Sequence, residues 1–166
     1  LEPCLSGWLG HENPFDFSLQ YNPASGIDRM RVGTPPIIAL AALEASLDIW
    51  ETVNIKDVRE TSIQLTDQFI KGVEQKCPML QLITPRIPEN RGSQVSFSFK
   101  HGYAVMQACI ERGVIGDFRA PDVMRFGFTP LFIDSQDVER ALDTLSEIMS
   151  KNLWNDPKFQ KRNKVT

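Results

Sequence analysis

The chain has 166 residues, with 18 Lys and Arg against 21 Asp and Glu, a formal net charge of −3 and a pI near 5.4. That length holds one domain with a core, or one domain and part of another, and an apolar fraction of 42% is ordinary for a globular protein. The acidic balance argues against a nucleic-acid or anionic-membrane surface, and the most apolar run, residues 35–50, is broken by Glu44 and Asp48 and is too short to span a bilayer.

Residues 1–33 are rich in Gly, Pro, Asn and aromatic residues and lack periodicity, so they read as loop, punctuated by Pro14, Pro23 and Gly26. Such a stretch in an otherwise regular chain is more often functional or interface-forming than idle. Thr34-Pro35-Pro36 then opens a helix over 35–51, with Thr34 as the capping hydroxyl and Pro35 at the first helical position. Its apolar residues leave only a narrow polar stripe, so burial on most sides is expected, between domains or subunits. A second helix is expected over 55–76, with Asn54 as cap, Val58, Ser62, Leu65, Phe69 and Val73 on one face, and Pro78 as stop.

After Pro78 the period changes. Leu80–Thr84 is strand-like, and Pro85, Pro88 and Gly92 frame a loop carrying Arg86 and Arg91. Val95, Phe97 and Phe99 alternate with serines, as in a half-buried strand. A short helix from Tyr103 to Arg112 ends at Gly113. Strands follow at Val114–Arg119 and Val123–Phe128, and Asp134 caps a last helix whose stripe is Val138, Ala141, Leu142, Leu145, Ile148 and Met149. The expected fold is α/β: long linking helices, then a mostly antiparallel small sheet with helices on one face. The expected organisation is an irregular active-site or interface segment at 1–34 belonging to a larger domain, linking helices at 35–78, a small C-terminal α/β domain at 79–151, and a polar tail at 152–166. Lys161, Arg162 and Lys164 in that tail read as solvated charge.

The three cysteines, Cys4, Cys77 and Cys109, are scattered and odd in number, which fits neither a disulfide framework nor a zinc site. Cys109, within a helix, reads as an apolar filler. No metal is expected, nothing resembles a signal peptide, and a reducing cytoplasm is the simplest home. Leu1 opens the chain without a methionine, on what looks like mid-domain sequence, so an N-terminal portion is expected to be missing.

Some residues carry potential chemistry. In Gly7-Trp8-Leu9-Gly10-His11 an indole is presented between glycines, whose backbones take conformations closed to other residues. A helix start bearing a free hydroxyl at Thr34 is an anion site, and an indole N–H is a fitting second donor for a phosphate. Without its flanking glycines Trp8 would read as a core tryptophan. His11 reads equally as a polar loop residue or as a group beside a cofactor. Arg125 interrupts an apolar strand and needs an anionic partner. Arg119 with Asp117 reads as a local ion pair. Arg29, Arg31, Arg86 and Arg91 could hold the irregular segment or face a substrate, and rank below Arg125.

These features occur in order with Ile83-Thr84-Pro85, Glu89-Asn90-Arg91-Gly92-Ser93-Gln94, Glu111-Arg112-Gly113-Val114-Ile115-Gly116-Asp117, Met124-Arg125-Phe126 and Pro130-Leu131. Together, from Leu5 to about Met149, they resemble the C-terminal part of the kynureninase family, pyridoxal-phosphate enzymes of the class V aminotransferase superfamily. The resemblance implies a type I pyridoxal-phosphate fold, a homodimer with active sites at the subunit boundary, and hydrolytic cleavage of L-kynurenine or its 3-hydroxy form to L-alanine and anthranilate or 3-hydroxyanthranilate. Tryptophan breakdown and nicotinamide cofactor synthesis are the implied settings. It implies that Trp8 and Thr34 meet the pyridoxal 5'-phosphate phosphate group from the neighbouring subunit and line the substrate pocket, and that Arg125 holds the substrate α-carboxylate. The bond to be broken must align with the cofactor π-system, which a bidentate Arg can enforce.

The lysine that carries the cofactor, and the acid that pairs with its ring nitrogen, belong to the family's N-terminal portion and match no segment here. Lys56, Lys71, Lys76 and Lys100 read as surface groups, so no catalytic residue is assigned in this chain and no turnover is expected from it alone. Two alternatives remain. One is another class V enzyme, an aminotransferase or a desulfurase, although a desulfurase would want a reactive cysteine on a mobile Gly-rich loop. The other is a non-catalytic dimerisation or ligand-binding module.

Overall fold

The computed structural model describes residues 3–161. The chain forms two compact units, Leu1–Val53 and Asn54–Thr166. In the first, two single turns of 3₁₀ helix, Trp8–Gly10 and Gly26–Met30, pack on each other and precede helix α1, Ile37–Glu51. The loop between the turns is closed by a β-bridge between His11 and Pro23, with Glu12 N–H donating to the Asn22 carbonyl (2.7 Å) and Ala24 N–H to the Gly10 carbonyl (2.8 Å).

The start of α1 corrects the expected cap. The helix begins at Ile37 with Pro36 as N-cap, no side chain caps it, and its first bond runs from Leu40 N–H to the Pro36 carbonyl. A proline forces the residue before it out of the helical region, so Pro36 excludes Pro35 from the first turn and strands Thr34 outside the helix. The burial expected for α1 is also not supplied by the described residues: none of its positions is buried, and Ile38 is 88% exposed.

In the second unit, helix α2 (Ile55–Lys76) is capped by the Asn54 side chain, which accepts from Lys56 N–H. Strands β1 (Gln81–Leu82), β2 (Gln94–Ser98), β3 (Asp117–Arg119) and β4 (Val123–Gly127) form one antiparallel sheet in the order β1-β2-β4-β3. Helix α3 (Gly102–Glu111) packs on β3 and β4, and helix α4 (Ser135–Ser150) on α2 and α3. Asp134 starts α4 through a capping box with Asp137. Period-2 alternation sends Val95, Phe97, Met124 and Phe126 into the core, where Phe69 of α2 meets the rings of Phe97, Phe126 and Phe128.

Two strands are shorter than their apolar runs suggest. Val114 N–H bonds the Cys109 carbonyl and Gly113 N–H the Ile110 carbonyl, with Gly113 at φ 84°, a Schellman cap that spends Val114 on ending α3. Beyond Leu82 the Thr84 hydroxyl accepts from Ser96 N–H (2.8 Å) in place of a ladder bond, and Pro85 follows. Of the two helices expected between the segments, α2 groups with the second unit, where a Cβ on Gly72 would overlap Leu142 of α4. Within the expected polar tail, Leu153 and Trp154 pack on the core, Trp154 stacks on His101 (4.6 Å), and Phe159 is buried. Apolar side chains spaced among charges dock it. Arg162 and Lys164 lie outside the described residues.

Candidate functional site

The first unit holds Trp8 and Thr34. Gly7 lies so tightly on Val32 that a Cβ at position 7 would collide with the Val32 carbonyl and Cα, and a Cβ on Gly10 would fall 2.7 Å from the Arg29 carbonyl oxygen. The two glycines thus let the Trp8 turn press backbone to backbone on the segment leading into Thr34. Trp8 is 51% exposed and meets Phe15 edge to face. Among the described residues, neither its indole N–H nor the exposed Thr34 hydroxyl has a hydrogen-bond partner.

Beside Trp8 is an aromatic-walled concavity of about 400 Å³, lined by His11, Asn13, Pro14, Phe17 and Tyr21 among others. His11 serves the loop. Asn13 N–H donates to its Nδ1 (2.9 Å), so the ring proton sits on Nε2, which donates to the Gln20 carbonyl (3.1 Å). Its ring also packs edge-on against Tyr21. Neither Tyr21 nor Phe17 stands out in the sequence; Phe17 takes a left-handed φ of 50°, a conformation no periodicity could reveal.

The second unit holds Arg125, at the centre of β4 on the sheet face opposite the core. Ser96 of β2 and Asp117 of β3 are its register partners on either side. Its guanidinium is paired side-on: Nε donates to Asp117 Oδ1 (2.6 Å) and Nη2 to Oδ2. The Arg125 hydrogen bonds hold the Asp117 carboxyl below the usual carboxylate range, and the same bonds raise Arg125. The anion that an Arg in this strand requires is therefore in the chain itself. Arg119 forms the expected local ion pair with Asp117 through one longer contact (3.4 Å), beside the two from Arg125.

The remaining arginines have structural partners. Arg29 Nε donates to the Ala24 carbonyl (3.1 Å), and Arg31 lies 3.9 Å from Asp28 on the surface. Arg86 pairs with Glu74 of α2. Arg91, its side chain 2% exposed, pairs with Asp67 and donates to the Pro85 and Arg86 carbonyls, pinning the 83–93 loop to α2. Burial pushes the Cys77 thiol up, and that of Cys109 up to about 12. Lys76 binds Asp143 (2.6 Å), and Lys56, Lys71 and Lys100 are exposed. Among the described residues no group of His, Cys, Asp and Glu could hold a metal ion, and no helix is long and apolar enough to cross a membrane.

Comparison with known proteins bears on this arrangement. The family described as "Kynureninase C-terminal domain" matches residues 58–145. Kynureninase of Pseudomonas fluorescens is 47% identical over 164 residues, 98% of this chain and 39% of that protein. Kynureninase of Burkholderia mallei (strain SAVP1) is 45% identical over 167 residues, 99% of this chain and 40% of that protein. The chain therefore spans about two fifths of the length of these relatives. Among solved structures, the apo cysteine desulfurase from Thermococcus onnurineus NA1 superposes with a TM-score of 0.73 at 18% identity, covering 90% of this chain and 40% of that one. The cystine C–S lyase C-DES in complex with cysteine persulfide gives 0.72 at 19% identity, covering 87% of this chain and 38% of that one. These two likenesses establish the shared fold. With the family match across more than half its length, the chain belongs to the kynureninase C-terminal domain family.

Proposed function

We propose that the full-length protein is a kynureninase: a pyridoxal-phosphate-dependent hydrolase that cleaves L-kynurenine or 3-hydroxykynurenine to L-alanine and anthranilate or 3-hydroxyanthranilate. The observation that carries this reading for the residues themselves is the Gly7–Val32 contact, which joins the Trp8 and Thr34 segments while both donors are unspent. A phosphate group is the anion assigned to these two donors, because it can accept from an indole N–H and a hydroxyl at once. Bound there, pyridoxal 5'-phosphate supplies an electron sink for cleavage next to a carbonyl. Trp8 and Thr34 fix the phosphate end and so the ring's orientation. Arg125 binds the α-carboxylate and sets the angle of the scissile bond. Phe17 and Tyr21 offer aromatic surface beside the indole for the ligand to pack on.

In this reading residues 1–34 serve the larger domain and complete the site of a second subunit in a homodimer. The open apolar surface of α1 supports such an assembly. The protein acts on a small amino acid, without nucleic acid or membrane, in the cytoplasm, to which free Cys4, Cys77 and Cys109 are suited. Against a desulfurase reading, Cys77 and Cys109 are buried, which leaves Cys4 as the one accessible thiol among the described residues.

The test is direct. Full-length protein loaded with pyridoxal phosphate should release fluorescent anthranilate and alanine from L-kynurenine in equal amounts, and no release overturns the reading. Trp8→Phe and Thr34→Ala should each weaken cofactor binding about tenfold, as loss of a hydrogen bond to a charged group predicts. Unchanged binding in both removes them from the phosphate site.

A further inference from the structure

Arg125 holds a spare edge. A guanidinium has five N–H groups and two edges that can each take a carboxylate. Asp117 occupies the Nε–Nη2 edge. The second Nη2 hydrogen and both Nη1 hydrogens have no partner among the described residues, and 30% of the side chain is exposed. The pair is preset by the backbone: Asp117 and Arg125 are register partners, and Gly116 lets β3 enter against β4, where a Cβ would fall 2.7 Å from the Arg125 carbonyl oxygen. On its other side Arg125 has Ser96, which carries no charge to draw the guanidinium away. Arg119 reaches the same carboxylate but is largely exposed and makes a single long contact.

We propose that Asp117 is the positioning residue of the substrate-carboxylate site: it clamps one edge of Arg125 so that the free Nη1–Nη2 edge is presented, already oriented, to the α-carboxylate of the amino-acid substrate. This rests on the kynureninase reading for the role of Arg125 and adds the residue that makes Arg125 selective for a planar anion. An unpaired arginine on this partly exposed face would sample more rotamers and lose that freedom on binding, and the Asp117 clamp removes that cost beforehand. The clamp also means that Asp117 does not touch substrate. Its loss should weaken carboxylate recognition while leaving the amine and aryl parts of the ligand untouched.

The experiment measures binding to the full-length holoprotein by calorimetry with two probes. L-homophenylalanine has the amine, aryl group and α-carboxylate but no ketone to be cleaved. 3-Phenylpropylamine is the same molecule without the carboxylate. Asp117→Asn should raise the dissociation constant of L-homophenylalanine about tenfold, as misorientation of a bidentate contact predicts, and leave that of 3-phenylpropylamine unchanged. Asp117→Glu, which keeps the charge one methylene further out, should give a smaller but equally selective loss, and it serves should the Asn variant not fold. Equal weakening of both probes, or no weakening of L-homophenylalanine, overturns the proposal when Arg125→Ala is itself selective. If Arg125→Ala shows no selectivity either, the carboxylate role of Arg125 fails and this inference falls with it.

Discussion

The Arg91–Asp67 pair makes an asymmetric prediction. The Arg91 side chain is 2% exposed, whereas that of Asp67 is 39% exposed. Asp67→Ala strands a buried guanidinium with only the Pro85 and Arg86 carbonyls and a long contact to the Thr66 hydroxyl. Breaking a buried pair from this side costs about 3 kcal/mol, the low end for such pairs because water reaches Asp67. Arg91→Met leaves a carboxylate that water can solvate and two carbonyls on exposed residues, and it removes an Nε that is buried without a partner. Its cost is that of a compensated hydrogen-bond loss, about 1 kcal/mol. The assay is urea unfolding of the 166-residue chain in a Trp8→Phe, Trp50→Phe background, where Trp154 alone reports the second unit. A cost for Arg91→Met equal to or above that for Asp67→Ala would refute the reasoning that burial, and not the pair itself, sets the penalty.

Thiol labelling at pH 8 should modify Cys4 alone in the native chain, because burial keeps Cys77 and Cys109 protonated and sealed; mass spectrometry showing early modification of Cys109 would contradict this. Asp117, Asp137 and Glu147 have folded pKa values below their unfolded ones, so their contribution to stability is complete above about pH 5 and fades as pH falls through the folded values. Urea midpoints measured from pH 6 to pH 3 should therefore decline less steeply in Asp117→Asn; an unchanged slope counts against the clamp in solution. Gly7→Ala should displace the Trp8 turn from Val32 and lower cofactor affinity of the full-length protein, while Gly33→Ala, with open space around its Cβ position, should not. The 166-residue chain alone should release no anthranilate from L-kynurenine, and detectable release by the purified chain refutes the assignment of the cofactor lysine to a segment outside it.

Much of the fold was legible in the sequence because its signals are local. The stripes of α2 and α4, the caps at Asn54 and Asp134, the stop at Gly113 and the alternation of Val95, Phe97 and Phe99 all depend on neighbours within a few residues. The ordered motifs from Gly7 to Arg125 likewise sufficed to place the chain in its family. Tertiary structure decided what depends on distant residues. Which acid pairs with Arg125 follows from strand register across β3 and β4, whereas proximity in sequence points only to the local Arg119–Asp117 pair that the same carboxylate also makes. The approach of the Trp8 turn to the segment before Thr34 follows from a backbone contact between Gly7 and Val32, which no spacing rule encodes. Arg86 and Arg91 bind the loop at 83–93 to α2 because the fold sets Glu74 and Asp67 of that helix beside them, and the docking of Trp154 and Phe159 overrides a polar composition because a few apolar side chains gain from an available core while the charged residues around them stay in water at no cost.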